Sequence, residues 1–218
     1  MLGTDSQSVA EHWPHGQLAV NIAAPLALLV ILSALEPGQR LAAVLFVPFS
    51  AFGEYLFSLV FGLYSYRLGG VPLYVPFGHA ILFGSGLVIS GLPQVLLHET
   101  VLRRALLVFH TALLAGVVII LGDTLSALFG VLLVVVLLRR QCSLFYVLMG
   151  VLVLIVELLG TAFGCWYWWP NPVGGWLYTT NPPVGAFACY LVADVCVLKI
   201  AAWLTRVAPA ARRVVQKM

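Results

Sequence analysis

Seven apolar runs, at residues 18–35, 41–63, 72–92, 105–121, 124–138, 143–163 and 183–204, take up most of this chain of 218 residues. Most come near the roughly 20 residues that a helix needs to cross hydrocarbon. With 62% of its residues hydrophobic and 9% charged, the chain carries more apolar surface than a soluble core of this size could bury. The polar stretches between the runs are too short for a soluble domain. The expected fold is therefore all-α: a polytopic membrane bundle of seven transmembrane helices, forming a single domain over residues 1–218.

The basic residues set an orientation. Seven crossings put Arg40, Arg103, Arg104, Arg139, Arg140, Arg206, Arg212, Arg213 and Lys217 on one side and leave Arg67 alone on the other. Positive charge near helix ends favours the cytoplasm, so the N-terminus is expected outside and the C-terminus inside. Lys199, within the last run, is expected to snorkel to the cytoplasmic side. The basic stretch 206–217 fits an orientation signal in contact with anionic lipid rather than a nucleic-acid site. Residues 1–17 have no basic segment ahead of an apolar one, which argues against a cleaved signal peptide. Trp13, His12 and His15 then lie at the outer interface.

A motif recurs in the second and sixth runs. Glu54 lies deep in one apolar run and Glu157 in another; Gly62, Tyr64 and Tyr66 correspond to Gly164, Trp166 and Trp168, and Pro76 to Pro183. Self-similarity of this kind marks a structural repeat. Four crossings separate the copies, so the repeat is expected to be parallel, with halves at about 41–92 and 143–204. If the halves pack face to face, both carboxylates lie at one level in the outer half of the membrane.

Ionisable side chains in hydrocarbon are expensive and mark sites. A rise of about 1.5 Å per residue puts Glu54 and His79 at similar depth on neighbouring helices, where they can pair. Glu157 and Asp194 stand likewise on the last two runs, with Asp194 deeper. These four can stitch helices together, or they can form an acid–base site. The aromatic loops above them, with Tyr64, Tyr66, Trp166 and Trp168, favour a site, because aromatic faces stabilise cations. His110 lies near mid-membrane and either reaches that site or donates to a carbonyl of a neighbouring helix. Asn181, followed by Pro182, fits a helix N-cap with proline at the first helical position, and substrate contact is the alternative.

The remaining polar residues have simpler readings. Asp123 after Gly122 fits the N-cap of a tight hairpin. His98 and Glu99 fall in the connection PQVLLHETVLRR and fit solvated loop residues. Cys142, Cys165, Cys189 and Cys196 show no CxxC and no metal-ligand spacing, and Cys189 and Cys196 share one helix face as small packing residues. No metal or other cofactor is expected.

The motifs FGLYSYRLGGVPLYVP and GCWYWWPNPVGGWLYTTNPPVG resemble the two halves of the carotenoid-biosynthesis membrane proteins that hydrate a terminal isoprenoid double bond. His79 departs from that pattern, where an aromatic would stand. In architecture the chain is similar to the small seven-helix membrane terpene cyclases, and Glu54 and Asp194 match their acidic positions. Both resemblances imply protonation of an alkene or epoxide on an isoprenoid lipid, followed by water capture or ring closure through a carbocation. The expected catalytic residues are Glu54, His79, Glu157 and Asp194; Tyr64, Tyr66, Trp166, Trp168, Asn181 and His110 are the expected substrate contacts. The partners are then a hydrophobic isoprenoid and membrane lipid, with no nucleic acid. A proton-coupled carrier, a metal-dependent membrane enzyme and a non-catalytic assembly subunit are the competing readings.

Overall fold

A computed structural model describes residues 1–141 and 143–215, with side chains through Arg206. Cys142 and Lys217 lie outside the described residues. Each apolar run is helical. A 3-10 turn, Leu2–Asp5, leads into the short α1 (Gln7–His12) and then α2 (Gly16–Ser33). Next come α3 (Pro37–Glu54), which continues as a π-helical turn at Tyr55–Val60, and strand β1 (Tyr64–Tyr66). After these follow α4 (Tyr74–Ser90), α5 (Pro93–Leu97), α6 (Glu99–Leu121), α7 (Thr124–Arg139), α8 (Leu144–Ala162), strand β2 (Trp166–Trp168) and α9 (Phe187–Val215).

Among the described residues, five helical spans are long and apolar enough to cross a membrane: α2, α3 with its π-helical turn, α6, α8 and the segment Val184–Arg206, while α4 and α7 are shorter apolar helices. The outer surface matches that reading. Ile119 and Ile120 on α6 are each 80% exposed, and Leu18, Ile22, Leu26 and Leu29 run along the outside of α2. Such surfaces belong in hydrocarbon, and the chain is a helical membrane protein. Lys199 is exposed on α9.

Helix ends follow local chemistry. Glu36 and Gln39 form a reciprocal capping box around Pro37 at the start of α3. Gly122, at φ 67°, closes α6 in the left-handed conformation. Asp123 then caps α7, accepting a hydrogen bond from Ser126 N at 2.7 Å.

Two expectations about helix boundaries need correcting. The connection PQVLLHETVLRR is helical: Pro93 opens α5, and Leu102 N donates to His98 O at 2.9 Å, so α6 begins at Glu99. Asn181 does not cap α9, which starts at Phe187 after a 3-10 turn at Val184–Ala186. Pro182 and Pro183 have no backbone N–H, so a cap at Asn181 would lack the donor nearest to it.

The bundle packs through small residues. Ala42, Ala43 and Ala80 are fully buried between α3 and α4 around Phe46 and Phe83. A side chain at Gly84 would meet Ile31 Cγ2 at 2.5 Å, so α4 and α2 approach as only glycine permits. α9 lies centrally, packed against α3, α7 and α8. At one end of the bundle β1 and β2 pair antiparallel, with Tyr64 opposite Trp168, Ser65 opposite Tyr167 and Tyr66 opposite Trp166. Alternation along a strand turns Tyr64, Tyr66, Trp166 and Trp168 inward and buries them, while Tyr167 faces out.

A candidate acid site beneath an aromatic ribbon

The inward-facing side chains of the ribbon reach down to two buried carboxylates. Glu54, the last α-helical residue of α3, accepts from Tyr64 Oη at 2.6 Å and from Tyr66 Oη, both at Oε2. Its other oxygen, Oε1, lies 2.9 Å from His79 Nε2 on α4. Glu157 on α8 is held in a matching way: its Oε2 accepts from Trp166 Nε1 at 2.9 Å and Trp168 Nε1 at 3.0 Å, and its Oε1 accepts from Tyr190 Oη at 3.0 Å. All four carboxylate oxygens are therefore engaged, which lets acidic groups lie in an apolar bundle. Burial, and then the charge of Glu54, holds the Tyr64 and Tyr66 hydroxyls well above their ordinary range, so both remain donors.

Local structure explains the reach. Gly62 at φ 58° and Gly164 at φ 67° turn the chain back after α3 and α8, as only glycine does at low cost. The π-helical turn after Glu54 ends with Ser58 Oγ donating to Tyr64 O at 3.2 Å, which ties the helix end to the returning strand. Asn181 holds the second strand: its Oδ1 accepts from Trp168 N at 3.0 Å.

Tyr190, which sequence reasoning missed, joins the two carboxylate networks. Its ring stacks on His79 with centroids 4.6 Å apart and planes 7° apart. A hydroxyl on the inner face of α9 gives no sign in the sequence of which helix it meets. Asp5 was also missed. It is fully buried, and its Oδ1 lies 2.5 Å from Arg67 Nη2, while Oδ2 accepts from Tyr74 Oη at 2.9 Å. Arg67 Nε donates to Asp5 O at 3.1 Å, so the N-terminal strap is clamped from two sides. The signal available was that the expected topology left Arg67 as the lone basic residue on its side, in need of a partner.

A cavity of about 460 Å³ lies beneath the ribbon, in the size range of about 300–1,000 Å³ usual for small-molecule sites. Its wall includes Glu54, His79, Glu157, Tyr190 and the four ribbon aromatics, with Met1 and Leu2 at the strap; the rest is largely apolar. Asp194, Asn181 and His110 do not line it. Asp194 is completely buried on α9, with no hydrogen-bond partner on either oxygen among the described residues. His110 lies against Phe187, and its Nδ1 is 2.7 Å from Leu106 O on its own helix, so it meets neither the site nor the carbonyl of a neighbouring helix that the sequence suggested. Among the described residues no group of three or more His, Cys, Asp or Glu side chains is placed to hold a metal ion. The site thus sets an acid–base pair, Glu54 with His79, against an aromatic wall in a chamber largely free of other polar groups. Comparison of the chain with known protein families, characterised proteins and solved structures finds no match.

Proposed function

We propose that this protein is an integral-membrane enzyme that protonates an alkene or epoxide of an isoprenoid lipid and lets the resulting carbocation capture water or close a ring. The observation that carries the reading is the juxtaposition of Glu54 and His79 with an aromatic-walled apolar cavity. The proton shared by this pair adds to one alkene carbon, whose π electrons form the new C–H bond, and the neighbouring carbon becomes the cation. Tyr64, Tyr66, Trp166 and Trp168 stabilise that cation, an interaction worth about 2 kcal/mol in a desolvated setting. Water addition with proton return to the pair gives hydration; attack by a second alkene, followed by proton loss to Glu157 or Glu54, gives a cyclic alkene. Positioned carboxyls in a dry cavity are sufficient for such general acid–base chemistry. This is also the chemistry implied by the likeness to carotenoid hydratases and small membrane terpene cyclases.

In this reading α4 and α7 complete a set of seven spans, the ribbon lies at the outer face and the C-terminus in the cytoplasm. The halves form a parallel repeat, supported by a ribbon register symmetric about Ser65 and Tyr167. A cysteine replacing Trp176, which is 88% exposed on the ribbon side, should react with an impermeant maleimide in intact cells. Protection of that position would reverse the orientation. The reaction itself is tested by incubating purified protein with neutral isoprenoid alkenes and epoxides in D₂O: an acid-initiated reaction yields products bearing a new C–D bond or, from an epoxide, a ring-opened product, and absence of any such product removes the proposal.

A further inference from the structure

We infer that the cavity is loaded sideways from the hydrocarbon, between α3 and α7, by a neutral, linear isoprenoid lipid whose tail stays in the bilayer; this rests on the isoprenoid reading of the site. Three observations converge on it. The first is a wall shared between the inside and the outside of the bundle. Phe52 on α3 and Leu132 on α7 line the cavity yet are 69% and 38% exposed on the lipid-facing surface. α3 and α7 both pack on α9, whose half-buried Val192 and Ala193 also line the cavity. Gly53 completes the rim, and a Cβ there would meet no atom of the described residues within 4 Å.

The second observation is the clamped strap at the ribbon end. Met1 and Leu2 line the cavity there, on a strap fixed by Asp5, which Arg67 and Tyr74 hold, and by Gln7 N donating to Phe163 O at 2.9 Å. A long lipid arriving from water would have to break that clamp. One arriving through the side does not. Glu54 is adjacent to Gly53 in the chain, so the reacting end of a ligand meets the acid just inside the rim while the remainder trails into hydrocarbon.

The third observation concerns charge. No Lys or Arg lines the cavity among the described residues, and its ionisable side chains are carboxylates, phenols, a thiol and His79. A prenyl diphosphate would place its anionic head beside Glu54 and Glu157 with no Lys or Arg side chain lining the cavity to pair with it, a costly arrangement in an apolar chamber. A neutral alkene, alcohol or epoxide carries no such penalty.

The test uses the full chain in lipid nanodiscs and a polyprenyl alcohol of four isoprene units bearing a diazirine on one terminal unit, compared with its diphosphate. After photolysis, adducts are mapped by mass spectrometry. The alcohol is expected to label the rim of α3 and α7 and the cavity stretch of α9, with the diphosphate labelling about tenfold less. Gly53→Trp and Leu132→Trp should each cut labelling of α9 about tenfold, while Leu132→Ala, which widens the rim, keeps it at the original level or raises it. Ile119→Trp on the far side of α6 should leave it unchanged. Equal labelling by the diphosphate overturns the neutral-ligand assignment, and undiminished labelling in both rim tryptophan variants overturns the lateral route. Turnover that survives in Glu54→Gln would instead overturn the acid assignment and leave the labelling pattern, and hence the route, in place.

Discussion

The His79 imidazole lies flat against the Tyr190 ring at 4.6 Å, while His79 Nε2 faces Glu54 and Tyr190 Oη donates to Glu157. This stack joins two carboxylates carried on α3 and α8 into one network through α4 and α9. Neither helix pair alone would orient the imidazole. Tyr190→Phe keeps the stack and deletes one donor to Glu157, leaving Oε1 unsatisfied at a cost of about 1–3 kcal/mol. Thermal unfolding in detergent should show that loss with the Glu54–His79 pair still in place, whereas Tyr190→Leu, which also removes the stack, should lower turnover further. Identical stability and turnover of wild type and Tyr190→Phe would show that the bridge carries nothing.

Gly160 sets the position of the Trp166 indole. A methyl group at this site would fall 2.0 Å from Trp166 Cη2 and Cζ2, far inside contact distance. Gly160→Ala must therefore displace the ring that donates to Glu157, and overpacking of this kind costs about 1–3 kcal/mol. The expected result is a lower unfolding temperature and a shifted tryptophan emission. An unchanged emission spectrum would mean that Gly160 does not set the position of the indole.

The strap is held by a buried ion pair, with Arg67 and Asp5 side chains 15% and 0% exposed. Removing one member of such a pair leaves an uncompensated charge and costs about 3–5 kcal/mol. Arg67→Ala is therefore expected to destabilise the protein strongly and to expose the first residues to protease. Asp5→Asn, which can still accept from Tyr74, should cost less. Equal stability of Arg67→Ala and wild type would contradict the clamp.

Cys165 reports on the same clamp. Its thiol donates to Leu2 O at 3.4 Å, and burial first, with the Asp5 carboxylate second, pushes it up to about 11. The thiolate is the reactive form, so alkylation of Cys165 should be slow at neutral pH and accelerate as pH rises toward that value. Asp5→Asn removes a charge that opposes ionisation and loosens the cover, so alkylation at pH 8 should speed up relative to wild type. Rates that do not differ would separate Cys165 from the strap.

The helices were legible in the sequence because apolar length is a local property, and so was the recurrence of a carboxylate, a glycine and two aromatics. The Asp123 cap was legible for the same reason, since its acceptor and donor lie three residues apart. What escaped depends on rotation and long-range meeting. Asp194 and Tyr190 occupy successive turns of α9, yet only Tyr190 reaches the cavity, and no periodicity separates one turn from the next. Asp5 and Arg67 are 62 residues apart in sequence and meet only because the strap folds across the ribbon. Asn181 had a complete local explanation as a cap; a strand amide from the other side of the loop took its side chain instead.

In the proposed reaction the Glu54–His79 pair delivers a proton to carbon. The most direct measurement of that step is solvent deuterium incorporation into isoprenoid product by wild type and Glu54→Gln, both purified and shown to unfold at similar temperatures. General acid catalysis contributes about 10²–10⁴-fold, so Glu54→Gln should lose deuterated product by about that factor while keeping the fold. Near-wild-type deuterium incorporation by Glu54→Gln would contradict the account.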